Sequence, residues 1–521
     1  MKTSEEPEAN SRDDTARPGI AGAAAAGIAS AGLGLGIAEM VGAASRSLRS
    51  PVVSVGDRVV DLAPAPLKER AIDWFGTNDK LALLAGIAVV LVAYSAAVGV
   101  VSLRHRLRVG LAGIALFALV GSAAAWTSRS GGAWWQALPT IVGSVAAGLA
   151  LVGFANLAEP RHVGMEHPNE RRRFLAAVGV VAAGAGVAGI AGRKLNGRFG
   201  VADSRAAVQL PPPANDLSPI PAGAQAQNAA PFVTPNADFY RIDTALVVPQ
   251  VPVDTWSLRV TGMVDNELRL SYAELLDRQL VEKDITLACV SNTVGGNLIG
   301  NARWLGARLD DLLDEAGIDP SANQIVGRSV DGYTCGFPVA ALDGRDALIA
   351  VGMNGEPLPL THGFPARLIV PGLYGYVSAT KWLSEIELTT FDAFDHYWVP
   401  RGYSVEAPIK LQSRIDTPRG LARIAAGPFV IGGVAWAQTV GIERVELSID
   451  DGPWMPADLA DVVSDDTWRQ WSMPWDATPG RHSVTVRATD RNGSIQTADR
   501  SEPLPNGATG HHTVVVLVDE A

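Results

Sequence analysis

Five stretches of this chain are long and apolar enough to cross a lipid bilayer, and they constrain its fold more than any other feature. All of them lie within residues 1–195: Ile20–Ala44, Leu81–Leu103, Val109–Trp126, Trp135–Ala155 and Phe174–Gly192. Crossing takes about 20 apolar residues, since a helix satisfies its own backbone polar groups where water is absent. We therefore predict an N-terminal membrane anchor of five transmembrane helices.

The short connections between these segments predict an orientation. Residues 103–108 (LRHRLR) and 159–173 (EPRHVGMEHPNERRR) are basic and fall on the same side if all five segments span. Basic loops stay in the cytoplasm, so everything after Gly192 is predicted to lie outside the cytoplasmic membrane. Arg171–Arg173 precede an apolar helix and resemble a twin-arginine export signal, although ordinary positive-inside arginines explain them equally well.

The charge of the chain changes after the membrane segments. Residues 1–195 hold 19 Lys+Arg against 14 Asp+Glu, whereas the remainder holds 24 against 40. An acidic exported part disfavours nucleic acid as a partner, because nucleic-acid binding needs a basic surface. All eight histidines lie outside the five segments, and only two cysteines are present. We therefore expect neither a haem nor an iron–sulfur cluster.

The exported part divides by its pattern into a linker and two domains. Residues 196–235 are rich in Pro and Ala and are predicted to be a linker. Residues 236–408 mix short strands with a few helices, which predicts a mixed α+β domain. Residues 409–521 alternate apolar with polar residues between turn signals, which predicts an immunoglobulin-like β-sandwich.

Cys289 ends an apolar strand and begins a loop rich in Gly and Asn, SNTVGGN. A lone cysteine in a core usually packs as a small apolar residue, and we interpret Cys335 in that way. For Cys289 a thiolate ligand to a soft metal is the second interpretation. A nucleophilic role would need a nearby histidine, and no histidine with an acid partner is evident from spacing.

Residues 354–383 (NGEPLPLTHGFPARLIVPGLYGYVSATKWL) combine Arg367, a glycine-rich loop and Lys381. Two cations and close backbone approach suit an anionic ligand that bears a phosphate. The chain resembles the sulfite oxidase family of molybdopterin enzymes in four places: the Cys289 loop, the HGFPAR stretch, the KW pair and the later IERVELSIDDGPW stretch.

The resemblance, over roughly residues 230–521, implies a cofactor of one molybdenum and one pterin, with Cys289 as the metal's thiolate ligand. It implies that Tyr403 is catalytic. It also implies a set of cofactor contacts: Asn236, Tyr240, Arg241, Ser329, His362, Arg367, Ser378, Thr380 and Lys381. The activity implied is two-electron oxygen-atom transfer.

One departure bears on the substrate. Sulfite oxidases follow their cysteine with a run that ends in arginines, whereas residues 290–294 (VSNTV) carry no cation. A sulfite dianion would lose its charge-assisted hydrogen bonds there. We therefore expect sulfoxide reduction slightly ahead of sulfite oxidation, on a small sulfur- or nitrogen-oxide substrate.

The partners expected are a lipid membrane, a separate quinone- or cytochrome-linked redox protein, and a second copy bound through the C-terminal domain. Two other classes of protein stay open at this point. One is a cofactor-free binding or adhesion module displayed on a membrane stalk. The other is a transporter or sensor, although the five segments hold few polar residues.

Overall fold

A computed structural model describes residues 18–75, 79–129, 132–158, 168–215 and 217–520. It divides into two compact units. One comprises residues up to Gly200 together with Thr244–Val247, and the other comprises Val201–Asp243 with the chain from Val248 onward.

The first unit is helical. Its helices are α1 Ile20–Gly42, α2 Pro51–Leu62, α3 Ala65–Phe75, α4 Asp79–Arg104, α5 Leu107–Trp126, α6 Leu138–Ala158 and α7 Pro168–Gly197. Among the described residues, five helices are long and apolar enough to span a membrane, and they coincide with the five predicted segments. The basic connection after α6 lies largely outside the described residues, since 159–167 are not described; His162 and His167 fall there.

Helices α2 and α3 were not predicted. The start of α2 is encoded locally, because the Ser50 hydroxyl accepts a hydrogen bond from the Val52 N–H and Pro51 occupies the first turn.

Helix α1 packs against α4, α6 and α7. Its glycines make this possible. A Cβ added at Gly27 would collide with the backbone of Ser95 and Gly99, and one at Gly34 would lie 2.5 Å from the Gly143 oxygen. Small residues let apolar helices approach backbone to backbone. The Ala- and Gly-rich composition of α1 therefore gives it a central place in the unit.

The second unit begins with α8 Ala202–Ala206 and continues with short strands and three short helices. Its first part contains β1 Ser257–Gly262, β2 Leu268–Ser271, α9 Tyr272–Leu276, β3 Leu280–Ala288, β4 Ile299–Arg308, α10 Leu309–Ala316, β5 Gln324–Ser329, β6 Thr334–Pro338, β7 Leu348–Met353, β8 Glu356–Pro357, β9 Arg367–Ile369, α11 Gly375–Ser378 and β10 Leu383–Thr389. These strands form two sheets, ordered β2-β1-β10-β5-β6 and β3-β4-β7-β8, with β9 paired to β7. Only the β1–β10 pair in them is parallel.

Local sequence features determine one end of each of two of these helices. Ser271 and Glu274 form a reciprocal capping box at the start of α9. Helix α10 ends at Gly317, whose φ of 72° lies in the left-handed region that favours glycine.

The rest of the unit is a sandwich of two sheets. Its strands are β11 Gln412–Thr417, β12 Arg423–Ala425, β13 Gly427–Trp436, β14 Ile442–Ile449, β15 Met455–Pro456, β16 Asp458–Leu459, β17 Arg469–Ala477, β18 Gly480–Asp490 and β19 His512–Asp519. The sheets are ordered β11-β13-β17-β16 and β12-β19-β18-β14-β15. Ile431 and Trp471 from one sheet share a fully buried core with Val445, Val484 and Val516 from the other.

The sandwich is hydrogen-bonded to the strand that leads to Cys289. The Thr286 N–H on β3 donates to the Asp466 carbonyl, and the Thr286 hydroxyl accepts from the Trp468 N–H at 2.8 Å. The segment predicted as a linker also bonds to both parts: Ala214 N donates to Leu280 O, and Ala226 N donates to the Gln470 side chain. The Cys289 region is therefore held from both sides.

Candidate active site

Cys289 directly follows β3 and begins the loop that joins β3 to β4. Its N–H donates to the Leu298 carbonyl at 2.9 Å, so the strand ladder continues one residue past Ala288. Asn292 closes the loop, since its N–H donates to the Cys289 carbonyl and its Oδ1 accepts from Leu298 N–H at 2.8 Å. The loop thus has a fixed shape, and Cys289 is 8% exposed.

The thiol is protonated in this environment at neutral pH. Burial raises the pKa of Cys289, while hydrogen bonds with Ser291 and the charge of Lys381 lower it to a smaller extent. A bound cation would displace the proton, because a thiol that coordinates a metal is deprotonated outright.

Tyr240 lies where both Cys289 and Arg367 act on its pKa. Burial and the neighbouring Cys289 raise the pKa of Tyr240, and the Arg367 charge lowers it. Cys289 likewise raises the pKa of Tyr333 and Tyr374, for both of which burial is the larger cause. Neither of these last two tyrosines was predicted from the sequence.

Arg367 is a buried cation without a carboxylate partner among the described residues. Within the described part of the chain, its guanidinium donates only to carbonyls, those of His362 at 3.2 Å and Ala379 at 3.4 Å, and its Nε meets no acceptor. It lies 5.1 Å from the ring of Trp304. Burial lowers the pKa of Arg367 to about 10, which leaves it charged. A buried charge needs a counter-charge, so this position favours an anionic ligand.

Lys381 and Arg241 share one buried carboxylate. Lys381 Nζ and Arg241 Nε lie 2.8 Å and 3.0 Å from Asp243 Oδ2. The Asp243 side chain is 4% exposed. Arg367, which has no carboxylate partner among the described residues, lies close enough to the same cluster for its charge to act on His362 together with those of Lys381 and Arg241. Asp243 was missed because an acid in a loop carries no sequence signal of its own.

His362 joins the cluster as a neutral group. Burial and the charges of Arg367 and Lys381 lower its pKa to about 4. Its Nε2 lies 3.1 Å from the Asn236 carbonyl, so Asn236 meets this cluster through its backbone. The Asn236 amide is bonded instead to Glu356 and to Asn354.

Three predicted hydroxyl contacts are hydrogen-bonded within the protein. Ser378 donates to the carbonyls of Leu373 and Tyr374, both at 3.0 Å. The Thr380 hydroxyl lies 2.7 Å from the Cys335 sulfur. Ser329 accepts from the Asp331 N–H at 3.4 Å. In this conformation, these hydroxyls hold the backbone around the cluster.

Tyr403 lies in an aromatic cluster and is 5% exposed. Its ring centroid is 5.0 Å from that of Trp398 and 5.4 Å from that of Tyr376. The Tyr376 hydroxyl donates to the Ser404 carbonyl at 2.8 Å. The cluster reaches the neighbourhood of Cys289 through Tyr333, whose hydroxyl donates to Tyr376 O.

The sandwich places two further side chains against the Cys289 loop, and neither was predicted. The Arg414 guanidinium donates to the Gly296 carbonyl at 3.0 Å, and the Arg414 Nε lies 2.6 Å from the Asp416 carboxylate. A Cβ at Gly295 would overlap the His512 ring.

The imidazole of His512 is neutral. Its Nδ1 accepts from the Ile415 N–H at 3.0 Å. Burial and the charges of Arg414 and Arg500 lower its pKa to about 4, against an opposing effect of Asp416. Because Arg414 and His512 lie far from Cys289 in sequence, no local sequence pattern predicts their contact with the loop after Cys289.

Comparisons with known proteins find similar sequences for this part of the chain. A family model described as the oxidoreductase molybdopterin binding domain matches residues 245–398, which include Cys289, Arg367 and Lys381. Human mitochondrial sulfite oxidase is 29% identical over 325 residues, covering 53% of this chain and 59% of that protein. The uncharacterized oxidoreductase YuiH of Bacillus subtilis is 32% identical over 148 residues, covering 28% of this chain and 72% of YuiH.

The chain belongs to the sulfite oxidase family of molybdopterin oxidoreductases. It spans 59% of the length of the human sulfite oxidase that it matches. Among solved structures, the sulfane dehydrogenase SoxCD from Paracoccus pantotrophus aligns with a TM-score of 0.49 and 21% identity, covering 56% of this chain and 85% of that chain.

The residues present fit the cofactor of the sulfite oxidase family. Among the described residues, no group of three or more His, Cys, Asp or Glu could hold a metal ion. A metal beside Cys289 would therefore take most of its ligands from outside the protein, as a pterin dithiolene provides. The buried Arg367, whose Nε has no acceptor among the described residues, suits the anionic end of such a cofactor.

Proposed function

We propose that this chain is a membrane-anchored molybdenum–pterin oxidoreductase that reduces small neutral sulfoxides in preference to oxidising sulfite. The observation that carries the substrate preference is the charge of the loop after Cys289. Residues 290–294 contribute no cation, and the His512 imidazole against Gly295 is neutral. Arg414 also reaches this loop, at the Gly296 carbonyl, but its charge is paired with Asp416. We therefore expect the loop to bind a neutral sulfoxide, which needs only hydrogen bonds, better than a dianion.

In this proposal the cofactor is held at two ends. Cys289 provides the thiolate to the metal, and Arg367, Lys381 and Arg241 bind the pterin phosphate. The charges of both Cys289 and Arg367 act on Tyr240, so in this proposal Tyr240 would contact the cofactor as well. When bound, the molybdenum–pterin group supplies two-electron oxygen-atom transfer, and the protein supplies a ligand, orientation and charge.

The aromatic cluster around Tyr403 provides the substrate's surroundings. Burial raises the pKa of Tyr333 and Tyr374, so both keep their hydroxyl protons at neutral pH. The Tyr333 hydroxyl already donates to the Tyr376 carbonyl, so in this proposal the Tyr374 phenol would be the donor to a sulfoxide oxygen. Aromatic ring faces also contact the sulfur of a thioether product favourably.

The five apolar helices would anchor the enzyme in the cytoplasmic membrane. The basic connections at 103–108 and 159–173 would lie in the cytoplasm and the molybdenum domain on the opposite face. Electrons would come from a separate quinone- or cytochrome-linked partner. The C-terminal sandwich, with an immunoglobulin-like arrangement, would join two copies. Reporter fusions after residues 106 and 200 test the orientation, and opposite signals are expected.

The deciding experiment is metal and pterin analysis of the full chain, purified in detergent from a molybdenum-sufficient host. About one molybdenum and one pterin per chain are expected. Methyl p-tolyl sulfoxide reduction with a reduced viologen dye would then be compared with sulfite oxidation by ferricyanide. A kcat/KM for sulfite above that for sulfoxides would overturn the substrate assignment, and a chain without molybdenum would overturn the enzyme itself.

A further inference from the structure

Arg205 lies in α8, the short helix that follows shortly after α7 ends at Gly197. Its guanidinium binds three consecutive residues of the second unit. Nε donates to the Leu358 carbonyl at 2.8 Å, and Nη2 donates to the Pro357 carbonyl and lies 2.9 Å from Glu356 Oε2. Because the donors of a guanidinium have a fixed planar geometry, α8 holds this stretch of chain in one position.

The second oxygen of the Glu356 carboxylate binds Asn236. Asn236 Nδ2 donates to Glu356 Oε1 and to the Met353 carbonyl at 3.3 Å. The Oδ1 of Asn236 accepts from Asn354 Nδ2 at 2.8 Å. Hydrogen bonds from Arg205 and Asn236 lower the pKa of Glu356, so this carboxylate is charged at neutral pH and accepts from both sides. The Asn236 side chain is therefore fixed at both ends of its amide.

The Asn236 carbonyl determines where His362 carries its proton. His362 Nε2 lies 3.1 Å from that oxygen. A carbonyl only accepts, and a neutral imidazole has a single N–H, so the proton is on Nε2 and Nδ1 keeps its lone pair. The His362 carbonyl in turn accepts from Arg367 Nη1 at 3.2 Å. A shift of His362 would therefore displace an imidazole acceptor and a buried guanidinium together.

We propose that Arg205 is a positioning residue for the molybdenum–pterin cofactor. Acting through Glu356 and Asn236, it holds His362 so that Nδ1 accepts a hydrogen bond from an N–H group of the pterin ring. An ionised phosphate offers only acceptors, so the neutral His362 belongs to the pterin ring and Arg367 to the phosphate. This role rests on the function proposed above, because the ligand is the cofactor assigned there.

The first test is pterin retention after gel filtration of the full chain in detergent. Arg205→Met should retain about 3- to 10-fold less pterin than wild type, the effect of one misplaced hydrogen bond. Arg205→Lys should retain more than Arg205→Met, because it keeps a charge beside Glu356. Arg278→Met is the matched control and should stay within about 2-fold of wild type. Arg278 lies 2.7 Å from Glu315 with side chains 24% and 50% exposed, against 22% and 48% for Arg205 and Glu356.

The second test is amide hydrogen exchange in protein from a host that cannot make the cofactor. The N–H groups of His362 and Phe364 donate to the Pro359 carbonyl at 2.9 Å and 3.4 Å, in the turn that follows the residues bound by Arg205. Their exchange should become about 3- to 10-fold faster in Arg205→Met and stay unchanged in Arg278→Met. Thermal unfolding of each variant confirms that the second unit is intact.

Full pterin retention in Arg205→Met would overturn the positioning role, whatever its hydrogen exchange. An equal loss of pterin in Arg278→Met would overturn it too, since the effect would then be a general loss of stability. A wild type that holds no pterin would overturn the proposed function instead. In that case, faster exchange in Arg205→Met would still support the positioning of His362, and unchanged exchange would exclude it.

Discussion

The Nζ of Lys381 lies 2.8 Å from Oδ2 of Asp243, and the two side chains are 9% and 4% exposed. This buried pair stands beside Arg367, which is equally buried and has no carboxylate partner among the described residues. The two cations therefore respond differently to substitution, although both are assigned to the same cofactor.

Lys381→Met should destabilise the cofactor-free protein by about 2–4 kcal/mol, because it removes an ion pair from the buried Asp243 carboxylate. Chemical denaturation of protein from a host that cannot make the cofactor measures this. Lys381→Met combined with Asp243→Asn should recover a large part of the loss. Equal stability of Lys381→Met and wild type would show that the pair contributes little.

Arg367→Met should have the opposite effect: the stability of the cofactor-free protein is kept, and cofactor retention falls. Cofactor-free protein should be as stable as wild type or more stable, since the substitution removes a buried charge that has no carboxylate partner in the described part of the chain. Cofactor retention should fall about 10- to 100-fold, the range for a lost charged hydrogen bond. Pterin content after gel filtration measures the retention.

Arg303→Met is the matched control for Arg367→Met. Arg303 makes two hydrogen bonds to Asp284, at 3.0 Å and 2.8 Å. Its loss should destabilise the cofactor-free protein by about 1–3 kcal/mol. If Arg367→Met behaved as Arg303→Met does, Arg367 would have a structural role only.

Cys289→Ser should reduce molybdenum content and sulfoxide reduction to a few per cent of wild type, because a hydroxyl is a poor ligand for a soft metal. Cys335→Ser is the control, since Cys335 is fully buried and its sulfur lies 2.7 Å from the Thr380 hydroxyl. Elemental analysis of both variants measures the difference. Full molybdenum content in Cys289→Ser would contradict the ligand assignment.

His512→Arg should shift the substrate preference toward anions. Arginine remains charged at neutral pH, whereas His512 is neutral because burial lowers its pKa to about 4. The ratio of kcat/KM for sulfite to that for sulfoxide should rise about 10- to 100-fold. His511→Arg adds the same charge on the neighbouring residue, whose Nε2 bonds to Gln496 O, and should leave the ratio unchanged.

Asp466 should make stability depend on pH. Burial and the nearby Asp346 and Asp465 raise its pKa to about 6, against opposing effects of Arg345 and Lys283. The folded protein therefore holds this proton more tightly than the unfolded chain does. The resulting stability is complete below about pH 4 and is lost as the pH rises through about 6.

Asp466→Asn should remove this dependence. Its free energy of unfolding relative to wild type should increase by at most about 3 kcal/mol between pH 4 and pH 7. Denaturation at both pH values measures the change. A constant difference between variant and wild type would show that Asp466 titrates normally.

Much of the candidate site could be predicted because its residues lie in two short stretches with recognisable composition. Cys289 follows an apolar strand, and Arg367 and Lys381 belong to one run of thirty residues, 354–383. The prediction for the hydroxyl contacts was less informative. The side chains of Ser378 and Thr380 are bonded to carbonyls and a sulfur of the protein, which depends on how α11 and β5 pack.

The sequence by itself determined the five apolar helices and the position of Cys289 at the end of a strand, because hydrophobic length and periodicity act locally along the chain. Only the tertiary structure decided which charges meet. Asp243 reaches Lys381, and His512 reaches Gly295, through contacts between segments far apart in sequence. Burial then set the charge of His362 and His512, since desolvation depends on every element that surrounds a group and not on its neighbours in sequence.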